Sequence, residues 1–541
     1  MKNDDKIFIF GHKKPDTDAV TSAISLSYLK NKLGMKTEPR VLGELNKETQ
    51  YALKYFDVKK PEYLNDVKLQ LKDIDYHKDF VLLENESIFD GYQYMLKEGL
   101  TGIPIVTDKR KFVGLITMKD LIRSFISDTD NNLLTSYDNL IKVLDGESIT
   151  KFDDEIKANV LVASYKSTNF INNVKLKNDT ALIVGDRHSI IEYAVNSGIK
   201  LIVITGNSEI HDEHIEIAKK KHVNIIRTKY DSFHTAKLIS LANYIKTMIR
   251  SYNTTNFEES EYVDTVLSVN EKLRHTNYPV VDKDGNCLGL LRITDLNSKH
   301  PKKVMLTDHN EKLQTVDGID EAEILEIVDH HNLGSITTMQ PINFRNMAVG
   351  SSNTIIYIMY KENNVEIPKE IAGMMLSGIL SDTLILKSPT TTDYDREAVK
   401  ELSKIAEVDY EKYGMDMLKA GTSLKGMSIE DVLFNDYKLY SVKNTNFAVG
   451  QFFTMNFDDI KKDIEKYLDV INKTAKDNNY SLVCLYITDI IKNGSYILYS
   501  NNGQGIIDLA YGKEMHEADF IEGCVSRKKN VVPLIMDALD N

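Results

Sequence analysis

The chain opens on four apolar residues, Ile7 to Phe10, followed by a polar loop with Pro15 and apolar positions from about Ala19 to Leu33, which Gly34 ends. This pattern predicts a strand, a loop and a helix. Such a unit belongs to an α/β sheet, where ligands bind at the carboxyl ends of strands. The same rhythm returns near residue 301, where KVMLTDHN and EILEIVDHHNLG read as strands and a helical stretch ends in GILSDTLILKS. From about Gly426 a last region carries a strand (Phe447 to Thr454), a charged helix (Phe457 to Lys476) and two further strands (Leu482 to Thr488, Tyr496 to Ser500).

Between these parts lies an internal repeat. TGIPIVTDKRKFVGLITMKDL and NYPVVDKDGNCLGLLRITDL share a pattern at an offset of 175 residues, with Pro104, Gly114 and Asp120 matching Pro279, Gly289 and Asp295. Each copy reads as strand, turn, strand and helix start, and an amphipathic helix (Ile88 to Lys97) precedes the first. The copies resemble CBS motifs, paired modules that hold adenine nucleotides. Between them TALIVGDRHSIIEYAVNSGIKLIVITG predicts a separate small α/β domain, similar to the DRTGG domain in its Gly185-Asp186-Arg187 and Thr205-Gly206 fragments.

The bulk numbers narrow the class. A chain of 541 residues exceeds one hydrophobic core, and 42% hydrophobic with 27% charged residues describes a globular protein of several domains. A net charge of −13 argues against a general nucleic-acid partner. No run of about 18 apolar residues offers a membrane span, and the opening MKNDDKIFIF lacks the apolar core of a secretory signal. Cys287, Cys484 and Cys524 are widely spaced, without a CxxC pair. A cytoplasmic protein is expected.

Hard donors then gather at what read as four strand ends: His12, Asp16 and Asp18 in GHKKPDTDAV, Asp308 in LTDHN, Asp329, His330 and His331 in VDHHN, and Asp382 in LSDT. Any one Asp is explained by a helix cap or a turn. Four such segments together, without thiolates, suit manganese, cobalt, iron or zinc, and the number of donors implies two ions. Near the C-terminus, Arg527, Lys528 and Lys529 stand in a row in VSRKKNVVP. Alone they read as a solvated charge run; beside a metal centre they are candidates for phosphate binding.

The order of GHKKPDTDAV, TDHN, VDHHN and SDT, followed by SRKK-VVP, resembles that of family II inorganic pyrophosphatases of the DHH phosphoesterase superfamily, over residues 1–65 and 301–541. The resemblance implies a split DHH-type α/β catalytic domain with a parallel-sheet core (1–65 and 301–425), a first CBS motif (66–128), a DRTGG-like domain (129–250), a second CBS motif (251–300) and a C-terminal α/β substrate-binding domain (426–541). It implies two manganese or cobalt ions, with magnesium arriving on the substrate. His12 and Asp16 are then ligands of the first ion, Asp18 and His330 of the second, Asp308 the bridge and Asp382 the remaining carboxylate. His331 becomes a substrate-bonding histidine that assists proton transfer, and Asp329 orients a ligating histidine. Arg527, Lys528 and, on a weaker local match, Lys438 hold pyrophosphate; Asn530 stands where the family commonly has Gln.

The insertion is similar to that of the regulated, CBS-containing branch, so AMP, ADP, ATP or diadenosine polyphosphates are expected effectors. Tyr278 is the candidate for stacking on adenine, Thr117 and Asp120 for ribose or phosphate, and Arg274, Lys119 and Arg292 for phosphate charge. Arg292 stands where the first copy has Thr117, so the two halves should not bind identically. A homodimer or higher homo-oligomer is expected of a paired CBS module. An exopolyphosphatase, another DHH phosphoesterase or a catalytically silent nucleotide sensor are the alternatives; every expected ligand is present, which weighs against the sensor.

Overall fold

The computed structural model describes residues 6–127, 131–249, 254–421, 427–443, 445–454, 457–489 and 492–540. The chain divides into two compact units, Met1–Leu69 with Pro301–Asn541, and Gln70–His300.

In the first unit Ile7–Phe10 pairs in parallel with Thr37–Val41 on one side and with Lys303–Thr307 on the other, so Phe10 lies opposite Leu306 across the whole insertion. The sheet runs Asn343–Asn346, Glu323–Asp329, Lys303–Thr307, Ile7–Phe10, Thr37–Val41, Glu62–Tyr63, parallel throughout. Ile9, Met305 and Val328 join one apolar cluster, while Phe10, Val304, Leu306 and Ile327 join the other. Side chains alternate between the faces of a strand, and a parallel sheet is stable only when both faces are covered. The helix Thr17–Lys32 packs on Lys369–Asp382, where Gly378 lies against Thr21 and Asp18.

The C-terminal part of this unit is a five-stranded mixed sheet ordered Asp436–Val442, Thr445–Thr454, Leu482–Asp489, Gly494–Tyr499, Phe520–Glu522. Leu482–Asp489 is buried at every position, with Val483, Leu485 and Ile487 in one cluster and Leu482, Cys484 and Tyr486 in the other. The single helix expected over Phe457–Lys476 is two, Asp458–Lys461 and Ile464–Asp477. Asp463 breaks it by leaving helical geometry, at φ −120° and ψ 17°.

The second unit repeats itself at the offset seen in the sequence. Leu82–Leu83, Ile88–Glu98, Gly102–Val106 and Phe112–Thr117 correspond to Phe257–Glu258, Val263–Leu273, Asn277–Val281 and Cys287–Arg292. The register repeats too: Gly102 faces Thr117 as Asn277 faces Arg292. The copies meet through matched bonds, Phe112 N donating to Gly285 O (3.2 Å) and Cys287 N to Arg110 O (2.8 Å). They diverge afterwards, since Met118–Ser127 is an α-helix and Ile293–Asn297 a 3-10 turn. The segment between the copies forms a separate α/β domain on a sheet ordered Asn132–Ser136, Glu155–Val162, Thr180–Val184, Leu201–Ile204, Asn224–Thr228, Gly146–Thr150. The three cysteines are buried free thiols. Among the described residues no helix is long and apolar enough to cross a membrane.

Candidate metal centre

Three donor segments leave the carboxyl ends of neighbouring parallel strands. His12 follows Ile7–Phe10, Asp308 follows Lys303–Thr307, and His330 with His331 follows Glu323–Asp329. The fourth corrects the expectation of four strand ends: Asp382 is the last residue of the helix Lys369–Asp382. A short apolar run before a polar residue cannot by periodicity alone be assigned to strand or helix. Asp16 ends the loop and Asp18 is likewise helical, so the two are not both loop residues. Asp16 caps Thr17–Lys32 by accepting from Ala19 N at 2.9 Å, and Asp18 lies in its first turn.

The backbone is strained at two of these points. Asp308 sits at φ 59°, a left-handed conformation that Asp tolerates better than most residues. Beyond Asp382, Leu384, Ile385 and Leu386 are consecutively left-handed at φ 48°, 53° and 61°. Such residues cost on the order of 1–3 kcal/mol each, so surrounding structure must over-determine them. Thr383 does part of this, its Oγ1 accepting from Leu386 N (3.1 Å) and its carbonyl from Ser388 N (2.8 Å).

These elements bring six predicted ligands together. His12, Asp16 and Asp308 form one donor set and Asp18, Asp308, His330 and Asp382 another, with donor atoms in each within 4.8 Å of one another. Asp308 belongs to both. Its Oδ2 lies 3.4 Å from His12 Nε2 and its Oδ1 3.2 Å from His330 Nε2. Both histidines are turned by the backbone: Nδ1 of His12 donates to Lys13 O (2.8 Å) and Nδ1 of His330 to Val349 O (3.0 Å), which leaves each Nε2 for the cluster. Asp329 accepts from Nδ1 of His331 at 2.9 Å. It therefore orients the histidine expected to meet substrate, rather than a predicted ligand.

The electrostatics call for cations. Burial lowers the basicity of His330, yet Asp308, Asp382 and Asp18 raise it to about 10. His12 is likewise raised well above the usual imidazole range against burial, by Asp16 and Asp308. Burial and the Asp308 charge push Asp18 up to about 7, and burial with Asp18 and Asp16 pushes Asp382 well up. Asp308, despite burial, is held well below the carboxylate range by His12 and His330. Asp308 Oδ2 and His330 Nε2 are buried and make no hydrogen bond. Unpaired buried donors and crowded carboxylates fit divalent cations, whose imidazole and carboxylate ligands stand about 3 Å apart when bound at 2.0–2.2 Å. The residues present fit a two-metal group.

Some supporting residues were not legible beforehand. Asp18 is gripped by the start of the helix Ser352–Glu362, with Ser351 Oγ donating to Oδ1, Ser352 N to Oδ2 (2.8 Å) and Asn353 Nδ2 to Oδ1 (2.7 Å). The capping run GSSN at 350–353 was the available signal. His309 is buried beside His12, its Nδ1 donating to Thr307 O (2.8 Å) and its Nε2 unpartnered, and burial pushes it down to about 4. Gly378 leaves no room for a side chain, because a Cβ would strike Asn353 Nδ2 and come within 2.6 Å of Thr21 Oγ1 and 2.8 Å of Asp18 Oδ1. Gly378→Ala is therefore expected to lower stability by about 1–3 kcal/mol and to weaken activity by shifting Asp18. Thermal unfolding and steady-state rates on the same sample check both.

The basic cluster also assembles. Arg527 opens a single π-helical turn, Arg527–Val531, and is 5% exposed. Its guanidinium donates to Asp436 O at 2.6 Å and pairs with Asp436 Oδ1 at 2.8 Å, while Nε is buried without a partner. Lys438, on the strand Asp436–Val442, has its pKa lowered by burial and by Arg527 and Lys528 nearby, with Asp16 acting the other way. Lys438, Arg527 and Lys528 thus share one neighbourhood with Asp16. Lys528 is exposed, and Lys529 Nζ donates to Pro389 O at 2.9 Å.

The nucleotide candidates are only partly presented. Thr117 N and Oγ1 donate to Asp120 Oδ2 (2.9 and 2.6 Å), and in the second copy Arg292 N donates to Asp295 Oδ2 (2.8 Å) with its guanidinium on Oδ1 (2.9 Å). Lys119 and Arg274 are exposed. Tyr278, the stacking candidate, is fully buried at 0% exposure, packed near Phe257 with its hydroxyl donating to Asn270 Oδ1 (2.8 Å). Its strand is buried at every position, so the ring faces the core and offers no surface for adenine here.

Known proteins share this organisation. The DHH family, N-terminal domain, matches residues 6–379, and the DHHA2 domain matches 415–538. A cobalt-dependent inorganic pyrophosphatase of Clostridium perfringens is 33% identical over 538 residues, covering 98% of this chain and 97% of its own. A probable manganese-dependent inorganic pyrophosphatase of Thermotoga maritima is 30% identical over 549 residues, covering 100% and 99%. The solved CBS and DRTGG domains of the regulatory region of Clostridium perfringens pyrophosphatase match 42% of this chain and all of theirs, at 23% identity and a TM-score of 0.39. Identity sustained across both units and the C-terminal domain leaves one conclusion: the chain belongs to the family II (DHH/DHHA2) inorganic pyrophosphatases.

Proposed function

We propose that the chain hydrolyses pyrophosphate to two orthophosphates at the His/Asp cluster, and that adenine nucleotides bound by the duplicated unit adjust the rate. The observation that carries the catalytic half is Asp308, shared by two donor sets. In this reading His12, Asp16 and Asp308 hold one manganese or cobalt ion, and Asp18, Asp308, His330 and Asp382 hold the other. When bound, the pair supplies Lewis-acid polarisation of phosphoryl oxygen and lowers the pKa of water. A magnesium ion accompanies the substrate.

The chain's own groups do the rest. His331, with Nδ1 engaged by Asp329, offers Nε2 to a phosphate oxygen and can accept or return a proton there. Arg527, braced on Asp436, meets phosphate with fixed orientation, and Lys528 and Lys438 neutralise charge that develops on the leaving group. Partial burial strengthens Lys438 for this task by thinning the competing water.

The regulatory half is supported by the duplicated unit in Gln70–His300. The regulatory region of Clostridium perfringens pyrophosphatase has been solved with its activator diadenosine tetraphosphate, and the full-length match to the cobalt-dependent enzyme of that organism takes in the same part of this chain. Lys119, Arg274 and Arg292 are the proposed phosphate contacts, with Thr117 and Asp120 nearby, and Arg292 against Thr117 makes the two halves unequal. The expected assembly is a cytoplasmic homodimer or larger.

Phosphate release from pyrophosphate, tripolyphosphate and a dinucleotide, by manganese-loaded protein with and without AMP, tests both halves. Selective pyrophosphate hydrolysis that shifts with AMP is expected, from a species that light scattering reports as larger than one chain. Preference for tripolyphosphate or the dinucleotide would replace the substrate assignment, and no activity on any would favour a nucleotide sensor.

A further inference from the structure

Among the described residues one group with metal-binding spacing lies outside the catalytic cluster: His188, His211 and His214, in the α/β domain between the duplicated copies. The strands Thr180–Val184 and Leu201–Ile204 run parallel, and the chain after each leads into a helix at the same edge of the sheet. His188 opens the helix His188–Asn196, while His211 caps Asp212–Lys221 and His214 lies in its first turn. A ring nitrogen from each lies within 4.8 Å of the others. The His188 and His211 rings stack with centroids 3.8 Å apart, and His214 lies 5.3 Å from His211 and 6.0 Å from His188.

Packing alone leaves part of this unexplained. Nδ1 of His188 and Nδ1 of His214 are buried and have no hydrogen-bond partner, and His214 is 6% exposed. Buried polar atoms are ordinarily satisfied. Asp186 Oδ1 lies 3.3 Å from His188 Nε2, which leaves Nδ1 as that ring's free donor. A carboxylate behind a histidine is the usual support for a metal ligand. Burial and the neighbouring His211 lower the basicity of His214, which keeps its imidazole neutral, the form that binds metal.

We propose that His188, His211 and His214 form a second, regulatory-domain metal site for one divalent transition ion of the zinc, cobalt or nickel class. Imidazole donors without thiolates select these ions over magnesium and calcium, which require oxygen ligands. Donors around such an ion stand about 3.3 Å apart at bond lengths of 2.0–2.1 Å, so binding draws the nitrogens in from within 4.8 Å and turns one ring of the stacked His188–His211 pair. Water completes the coordination. The ion ties the starts of two helices together at the edge of the sheet, and the site is independent of the catalytic donors.

Full-length protein is equilibrated with cobalt, dialysed and counted for metal per chain, alongside His211→Ala and His188→Ala/His214→Ala. The wild type is expected to hold one ion per chain more than either variant, with pyrophosphate hydrolysis in manganese unchanged. Asp186→Asn should weaken the extra ion by about 10–100-fold. His211 is exposed, so its variant keeps the fold and isolates the ligand. Copper loaded after the catalytic ions should show nitrogen splitting in its electron paramagnetic resonance spectrum, lost in His211→Ala. Equal metal content in wild type and folded His211→Ala overturns the site.

Discussion

Asp308→Asn is expected to reduce pyrophosphate hydrolysis by roughly 10³-fold or more, since the loss of charge stabilisation at a two-metal centre amounts to several kcal/mol. Asn keeps the shape of the side chain and tolerates the left-handed backbone at φ 59°, so the change falls on charge rather than on fold. Both donor sets lose the same group, because Asp308 is the residue they share. The metal-free variant should unfold near the wild-type temperature, since Asp18 and Asp382 lose a like charge at the same time as His12 and His330 lose a counter-charge. The rise in unfolding temperature on adding manganese should shrink sharply, because stabilisation by a ligand follows its affinity for the folded state. Thermal unfolding with and without manganese, beside the rate measurement, checks the pair of outcomes; full activity in Asp308→Asn would remove the shared carboxylate from the mechanism.

Arg527→Ala is the second large effect. Its guanidinium is buried and fixed on Asp436, and one buried N–H stays unpartnered, an arrangement ready for an anion. Removing a preformed donor to developing phosphate charge typically lowers kcat by about 10²–10³-fold. Arg527→Lys should recover little, since an ammonium cannot reproduce the planar fork held by the Asp436 carbonyl and carboxylate. Losing a neighbouring positive charge should also raise the basicity of Lys438, whose depression comes from burial first and Arg527 next. A basic limb of the pH–rate profile that moves to higher pH in Arg527→Ala would show this, whereas an unshifted limb with normal kcat would make Arg527 structural.

Much of this was visible in the chain because the information is local. The continuous apolar runs at Ile7–Phe10 and at residues 304–306, the stop at Gly34 and the motif within each copy of the repeat depend on residues close in sequence. The repeat is kept down to strand register, with Gly102 opposite Thr117 and Asn277 opposite Arg292. Less legible were features set by packing. GILSD carries no periodicity that separates a helix end from a strand end, and Tyr278 gives no sign that its strand is buried on both faces. The His188, His211 and His214 group was missed because its members belong to two helices that meet only in three dimensions.

By itself the sequence determined the donor types, their order along the chain, and the unbroken apolar runs that make a buried parallel sheet. Tertiary structure alone decided that Ile7–Phe10 lies beside Lys303–Thr307, which puts His12 and Asp308 at one edge, that Asp308 is common to two donor sets, and that the start of Ser352–Glu362 braces Asp18. The physical reason is that hydrogen-bonded pairing and close packing act between surfaces, and distance along the chain carries no record of which surfaces will meet.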